Sequence, residues 1–170
     1  MLELRALICL APLLLASSAL EAKERFGDWY FSSNVDQLTR ERREYIYTLP
    51  ESTSRNGSEQ ISLAFHCKPS AGFLAAISWK SYASSGREVK MSYRIDDEEV
   101  VTRNWYVSKD GKFVKYPGKG RFLARKLYQK SKIIVRVFPQ YSNSITATFS
   151  LYGFPDAISQ MEACITGYDR

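Results

Sequence analysis

The sequence predicts an all-β protein, a β-sandwich of seven to nine mostly antiparallel strands with a short basic helix and a disulfide-tethered C-terminal helix. Two observations predict the sheet. Short runs alternate apolar and polar residues with a period of two, and these runs are rich in aromatic and β-branched residues. Clusters of Gly, Pro, Asn and Ser separate the runs, as expected for turns. This combination is typical of sandwiches and barrels.

The first 22 residues have the pattern of a secretory signal peptide. Arg5 gives a thin basic start, the apolar run Ala6–Ala16 follows, and small residues allow cleavage after Ala19 or Ala22. The run is shorter than the roughly 20 apolar residues of a membrane-spanning helix, and an uncleaved anchor or a buried helix is the alternative. Because the segment carries one basic and two acidic residues, its removal raises the formal charge from +6 to +7 and leaves a single domain, residues 23–170.

Five alternating runs define the clearest strands, namely REYIYTL (43–49), QISLAFHC (60–67), EVKMSYRI (88–95), KIIVRVF (132–138) and SITATFSLYGF (144–154). A sixth run, GFLAAISW (72–79), is more continuously apolar, which suits a central strand. Within the first three runs, the side chains that share a face are Tyr45, Tyr47 and Leu49, then Ile61, Leu63, Phe65 and Cys67, then Val89, Met91, Tyr93 and Ile95. The last set is expected to point inward, because charged and polar residues occupy the alternate positions.

A short basic helix is expected over about residues 120–129. Its buried side would carry Phe122, Leu123 and Leu127. The segment from Pro50 to Gln60 is polar and is expected to form a loop.

A second helix is expected from Pro155 to about Ile165, because Pro followed by Asp suits a first helical turn. Ala157, Met161 and Cys164 would share its buried face. Cys67 and Cys164 are the two cysteines left after cleavage, and a single pair in an exported domain indicates a disulfide. Closing a loop of about 100 residues is worth about 4–5 kcal/mol in the chain-entropy model. A reactive thiol is the alternative.

An acidic cluster, Asp96–Glu99, first suggests catalysis or metal binding. The pattern favours a hairpin turn with solvated charges, because Asp forms turns readily and a calcium loop needs spaced ligands and a glycine. Asp110–Gly111 predicts the next hairpin. His66 is the only histidine, so it does not make a zinc site alone. We therefore expect no enzyme, metal or cofactor; a weak cation site, or a hydrolase using His66 or Asp96–Glu99, is the alternative.

Positive charge is the strongest feature of the second half. Ten basic residues lie between Lys109 and Arg136 with one acid, Asp110, and with aromatic residues among them. Such a surface attracts polyanions in a salt-dependent way. The candidate binding residues are Lys115, Lys119, Arg121, Arg125, Lys126, Lys130, Lys132 and Arg136. The expected partner is an envelope protein complex or an anionic cell-wall polymer, and peripheral contact with lipid is a further option. Nucleic acid is not expected as a partner of an exported protein. The alternative is that the basic surface only keeps the protein soluble.

Several short motifs in the second half occur in a recognisable order. They are the Y-R-x-D turn (Tyr93–Asp96), the W-x-x-S-x-D-G hairpin (Trp105–Gly111), the V-R-V-x-P strand (Val135–Pro139), the T-A-T-F strand (Thr146–Phe149), and the closing G-F-x-x-A-I helix with its cysteine (Gly153–Cys164). In this order the chain, over about residues 29–164, resembles the VasI/TagO-like periplasmic proteins associated with type VI secretion. The resemblance implies an accessory envelope protein rather than an enzyme.

These observations lead to one expectation and one alternative. We expect a non-catalytic, periplasmic accessory or binding protein that contacts an envelope complex or the cell wall through its basic surface. The alternative is a secreted effector, an invasion-associated protein or an enzyme inhibitor that acts on an external partner.

Overall fold

The computed structural model describes residues 23–53, 61–78, 86–139 and 143–165. The strands are β1 (Glu24–Phe26), β2 (Trp29–Val35), β3 (Arg42–Thr48), β4 (Ser52–Thr53), β5 (Ser62–Lys68), β6 (Gly72–Ser78), β7 (Glu88–Ile95), β8 (Val101–Val107), β9 (Phe113–Lys115), β10 (Lys132–Phe138) and β11 (Ile145–Ser150). The helices are α1 (Gly120–Leu127), α2 (Phe154–Ser159) and α3 (Glu162–Ile165).

The strands form one antiparallel sheet in the order β1-β2-β3-β5-β6-β9-β8-β7-β10-β11-β4. The sheet curls on itself and brings strands from near its two ends together. This is seen where the Nε1–H of Trp29 in β2 donates to the carbonyl oxygen of Ser150 at the end of β11, 3.2 Å away. The sandwich of seven to nine strands is therefore not confirmed. Eleven strands of the described chain share one continuous ladder, whereas a sandwich has two separate sheets.

The difference in strand number comes from the shortest strands. β1, β4 and β9 contain only two or three residues each, which is too few for alternation to reveal them. β9 lies between β6 and β8 and joins the two halves of the sheet. β4 lies inside the segment expected to be a polar loop and pairs with β11, while residues 54–60 of that segment lie outside the described residues.

The core occupies the inside of the curl. The inward set predicted for β7 is confirmed, because Val89, Met91, Tyr93 and Ile95 are buried. The set predicted to share one face of β5 is also buried, namely Ile61, Leu63, Phe65 and Cys67. Trp29, Phe65 and Phe154 form an aromatic cluster, with ring centroids 4.8–6.1 Å apart. This cluster packs α2 against strands from different parts of the chain.

The C-terminal segment differs from the predicted single helix. Two short helices replace it, and the backbone N–H of Met161 bonds the carbonyl of Ile158 in the turn between them. The predicted inward face is nevertheless correct, because Ala157, Met161 and Cys164 are all buried. Tertiary packing stabilises short helical segments, so the same three side chains can be buried without one continuous helix.

The predicted disulfide between Cys67 and Cys164 is confirmed, with a Cα–Cα distance of 5.9 Å. It joins β5 to α3 across 97 positions of the sequence. Disulfides persist in oxidising compartments, so this bond indicates an extracytoplasmic protein. In the described ranges no helix is both long and apolar enough to cross a membrane. The predicted signal peptide, residues 1–22, lies outside the described residues and stays a prediction.

Candidate functional site

Helix α1 lies directly on β6, and a glycine makes this close packing possible. A Cβ atom at Gly120 would lie 2.6 Å from the backbone nitrogen of Ala75 and 2.7 Å from the carbonyl carbon of Leu74. Further along α1, Leu123 and Leu127 are fully buried in the core. The basic side chains of α1 therefore remain on its solvent side.

A groove of about 900 Å³ runs between α1, the turn before β6 and the segment that leads into α1. Three basic residues line it, Lys119, Arg121 and Arg125. Two apolar side chains also line it and stay accessible, since Phe122 is 54% exposed and Leu74 is 36% exposed. We call these five residues the basic groove. It combines positive charge with apolar surface in one concave site.

The exposure of Phe122 corrects the sequence prediction, which placed this side chain on the buried side of the helix. Leu123, Ala124 and Leu127 already form the buried stripe of this eight-residue helix. Phe122 lies about 100° around the helix from Leu123 and so falls outside that stripe. A large apolar side chain left accessible within a basic concave surface marks an interaction site better than charge alone.

Arg121 connects the basic groove to the disulfide. Its Nη2 donates a hydrogen bond of 2.7 Å to the carbonyl oxygen of Cys164. The guanidinium is therefore positioned by the same segment that the disulfide attaches to β5. The basic groove is therefore connected to the C-terminal tether, which is the Cys67–Cys164 disulfide together with α3.

Glu44 is a buried carboxylate that sequence analysis missed. Its Oε2 accepts the backbone N–H of Ala163 at 3.0 Å, and its Oε1 lies 2.9 Å from Nε of Arg42 in an ion pair that lacks hydrogen-bond alignment. Glu44 also lies opposite Cys67 in the β3–β5 ladder. Because a charged acceptor strengthens a hydrogen bond from a backbone N–H, this carboxylate holds α3 next to the disulfide.

The signal that could have revealed Glu44 is the alternation of β3. Ile46 and Thr48 share the inward face of β3 with Glu44, while Tyr45 and Tyr47 occupy the partly exposed outer face.

The eight predicted binding residues do not form one surface. Lys119, Arg121, Arg125 and Lys126 belong to α1 and its approach, whereas Lys132 and Arg136 lie on the outer face of β10 and Lys115 on the outer face of β9. Lys130 forms an ion pair with Glu98, with 2.7 Å between Nζ and Oε1. The basic groove therefore holds only part of the predicted set.

The acidic cluster forms the β7–β8 turn, as predicted, but its charges are not merely solvated. Asp96 adopts a positive φ of 47°, and its Oδ1 accepts the backbone N–H groups of Ser131 and Lys132, each at 3.0 Å. Together with the pair that Glu98 makes with Lys130, these bonds fasten the turn to the start of β10. Asp96 thus has a structural role.

His66 lies on the outer side of β5, where the ladder pairs it with Tyr45 and Leu74. Burial lowers its pKa below the ordinary value of 6.5, and the charges of Arg43 and Lys68 lower it further. The imidazole is therefore neutral at physiological pH.

The fold and the basic groove define a class of extracytoplasmic, disulfide-tethered β-protein with a positively charged concave surface. No protein-family model matches the sequence, and no curated protein matches it, so the resemblance to VasI/TagO-like proteins stays a prediction. Among solved structures, the chain is similar to invasion associated protein B from Bartonella henselae, with a TM-score of 0.58. The two share 9% identity over 84% of this chain and 96% of that chain. At this identity the likeness shows a shared fold.

Proposed function

We propose that this protein is a non-catalytic, extracytoplasmic binding protein that recognises an acidic protein partner of the bacterial envelope through the basic groove. The observation that carries the proposal is the position of Phe122. This half-exposed aromatic side chain lies in a groove with Arg121 and Arg125. Aromatic and arginine side chains in a concave setting are the residue types that dominate binding energy at protein interfaces.

The mixture of charge and apolar surface favours a protein over a simple polyanion. Lys119, Arg121 and Arg125 would speed the encounter with an acidic surface. Phe122 and Leu74 would contribute only if the partner offers apolar side chains to bury them. An anionic cell-wall polymer would contact the charges and leave these two side chains exposed to solvent. It is the alternative ligand if the test below captures no acidic protein.

The positions of the sequence-based catalytic candidates support a role without catalysis. The Asp96 carboxylate is occupied by two backbone N–H groups, which suits a structural tie rather than proton transfer. His66 is half-buried among the side chains of a strand face, and its cross-strand neighbours are Tyr45 and Leu74. Neither cross-strand neighbour is a carboxylate that would orient the imidazole as a general base.

The test is crosslinking in intact cells, followed by mass spectrometry of the captured proteins. We expect capture of an acidic envelope protein by the native chain and its loss in the double variant Lys119→Glu/Arg125→Glu. Arg121 is left unchanged because it supports the C-terminal segment. The matched control is Lys109→Glu/Lys112→Glu, which makes the same charge change at exposed positions of the β8–β9 turn and should leave capture intact. Equal capture by both double variants would contradict the proposal.

A second candidate function is a secreted protein that acts on a host partner. The specific observation in its favour is the fold shared with a protein whose name associates it with invasion. This candidate predicts the protein in the culture medium and an external acidic partner. Fractionation of cells and medium separates the two candidates, because retention in the periplasm supports the envelope role and release into the medium supports the host role.

A further inference from the structure

A second pocket, of about 290 Å³, opens on the outer face of the other half of the sheet. Its polar and charged side chains come from outward positions of neighbouring strands. The ladder pairs Ser92 of β7 with Arg136 of β10, and Arg136 with Thr146 of β11. Arg94, two residues after Ser92, lies opposite Ile134. The pocket shares no residue with the basic groove.

Two guanidinium groups dominate this pocket. Arg94 and Arg136 are both exposed and lie diagonally across the β7–β10 ladder, where side-chain origins are separated by about 7–8 Å. Long arginine side chains at that separation can reach one ligand together. Two positive charges this close repel each other unless an anion lies between them.

The hydrogen bonding of the two arginines supports ligand binding. Arg136 donates its Nε–H to Oγ1 of Thr146 at 2.8 Å, which fixes one edge of the guanidinium. Its two terminal nitrogens have no acceptor within the described parts of the chain, and the guanidinium of Arg94 makes no hydrogen bond or ion pair there. The described acidic side chains therefore do not neutralise this pair.

The remaining lining of the pocket is partly apolar. Ile134 forms the floor between the arginines, and Val100, which is 62% exposed, forms a wall. The Ser92 hydroxyl is hydrogen-bonded to that of Thr102 at 2.7 Å, so the polar side of the pocket is ordered. Pockets for small molecules combine apolar walls with a few placed polar groups in this way.

We propose that this pocket binds a small organic oxyanion, a single carboxylate or phosphate group attached to a compact apolar body. We call the guanidinium groups of Arg94 and Arg136 the arginine fork. The planar N–H donors of each group match the oxygen geometry of carboxylate and phosphate and bind them through paired, charge-assisted hydrogen bonds. Ile134 and Val100 would contact the apolar body. The volume lies at the small end of the range for ligand pockets, about 300–1,000 Å³, so the ligand is a small molecule rather than a polymer segment.

The test is an NMR titration of the purified protein with four probes: benzoate, phenyl phosphate, inorganic phosphate and benzyl alcohol. Benzoate, phenyl phosphate or both should give saturable shifts at the backbone amides of Ser92, Ile134 and Thr146, and the stronger of the two identifies the oxyanion. Benzyl alcohol, which has the same ring without the charge, should give none. Inorganic phosphate binding as tightly as the organic probes, or shifts that never saturate, would overturn the proposal.

Conservative variants then test the fork. Arg94→Lys and Arg136→Lys keep the charge but lose the paired hydrogen bonds, and each should weaken binding of the better probe about tenfold. Arg87→Lys, at an exposed arginine outside both pockets, should leave binding unchanged. Equal weakening by all three variants, or by none, would overturn the assignment to Arg94 and Arg136.

Discussion

Single side chains hold together parts of this protein that are distant in sequence. The carboxylate of Glu44 binds the backbone of Ala163, and the carboxylate of Asp96 binds the backbone of Ser131 and Lys132. Hydrogen bonds that backbone N–H groups donate to charged acceptors are stronger than those between neutral groups. Acidic residues in this molecule therefore stabilise loop and terminal segments as well as provide charge.

His66 gives a prediction about pH. Its folded-state pKa lies below the ordinary 6.5 because the side chain is partly buried near Arg43 and Lys68. Between the folded and unfolded pKa values the unfolded chain binds more protons, so the free energy of unfolding should decrease as the pH falls below about 6.5. Above that pH His66 is neutral in both states and has no such effect. The measurement is denaturant unfolding at pH 7.5 and 5.5.

The variant His66→Gln serves as the control for this titration. It should remove the His66 part of the change between pH 7.5 and 5.5. The carboxyl groups of Asp36 and Glu41 also have lowered pKa values, because they accept hydrogen bonds from Thr39 and Ser70 respectively. Their stabilisation is lost only as the pH falls below their ordinary values of 3.8 and 4.5, outside this window. An unchanged pH dependence in His66→Gln would contradict the prediction.

At the scale of elements, α1 depends on how closely it approaches β6. A Cβ atom at Gly120 would meet backbone atoms of Leu74 and Ala75, which cannot rotate away. Gly120→Ala should therefore reduce the free energy of unfolding by about 1–3 kcal/mol, the usual effect of overpacking. Thermal or denaturant unfolding measures this change.

Gly118→Ala is the matched control for the Gly120 prediction. A Cβ atom there would meet the ring of Tyr116 at 2.7 Å, and a ring edge can shift where backbone cannot. The variant at Gly118 should be less destabilised than the variant at Gly120. If Gly120→Ala were as stable as the native protein, the packing of α1 on β6 described above would be wrong.

The elements also show what the sequence could predict and what it could not. Runs of seven or eight residues such as β5 and β7 contain enough alternation to reveal both the strand and its inward face. β9 has three residues, and its identity as a strand depends on pairing with β6 and β8 on either side. The break between α2 and α3 is likewise set by tertiary packing, which overrides local helical preference.

In the candidate site, too, local sequence reveals some features and tertiary structure determines the others. The sequence predicted the positive charge of Lys119, Arg121 and Arg125, because composition reveals charge directly. It did not place Leu74 beside them, since that residue comes from β6 and meets α1 only in the folded chain. It also grouped Arg136 with α1, although the sheet places Arg136 beside Arg94 on another surface. Distances along the chain do not report which face of a sheet a residue occupies.

In the molecule as a whole, three contacts described above attach α3 to the sheet and to α1. They are the Cys67–Cys164 disulfide, the bond from Ala163 to Glu44, and the bond from Arg121 to the carbonyl of Cys164. Loss of the disulfide should loosen the other two contacts, because all three hold the same four-residue helix. The tether therefore supports the basic groove at a distance from it.

Removal of either cysteine tests this coupling. Cys67→Ser and Cys164→Ser should reduce the free energy of unfolding by about the same amount, roughly 2–5 kcal/mol, and the double variant should lose no more than either single one. Amide exchange in α1 should also become faster in each variant, because Arg121 loses a fixed acceptor. Unequal losses, or unchanged exchange in α1, would contradict the coupling between the tether and the groove.

The basic groove as the partner-binding surface is tested most directly by site-specific photocrosslinking in intact cells. A photoreactive phenylalanine analogue replaces Phe122 in one strain and Tyr106, a 50% exposed aromatic residue on the outer face of β8, in another. We expect a crosslink to an acidic envelope protein from position 122 that is absent from position 106. We also expect Lys119→Glu/Arg125→Glu to abolish this crosslink. The same crosslinked partner from both positions, or none from position 122, would contradict this role of the basic groove.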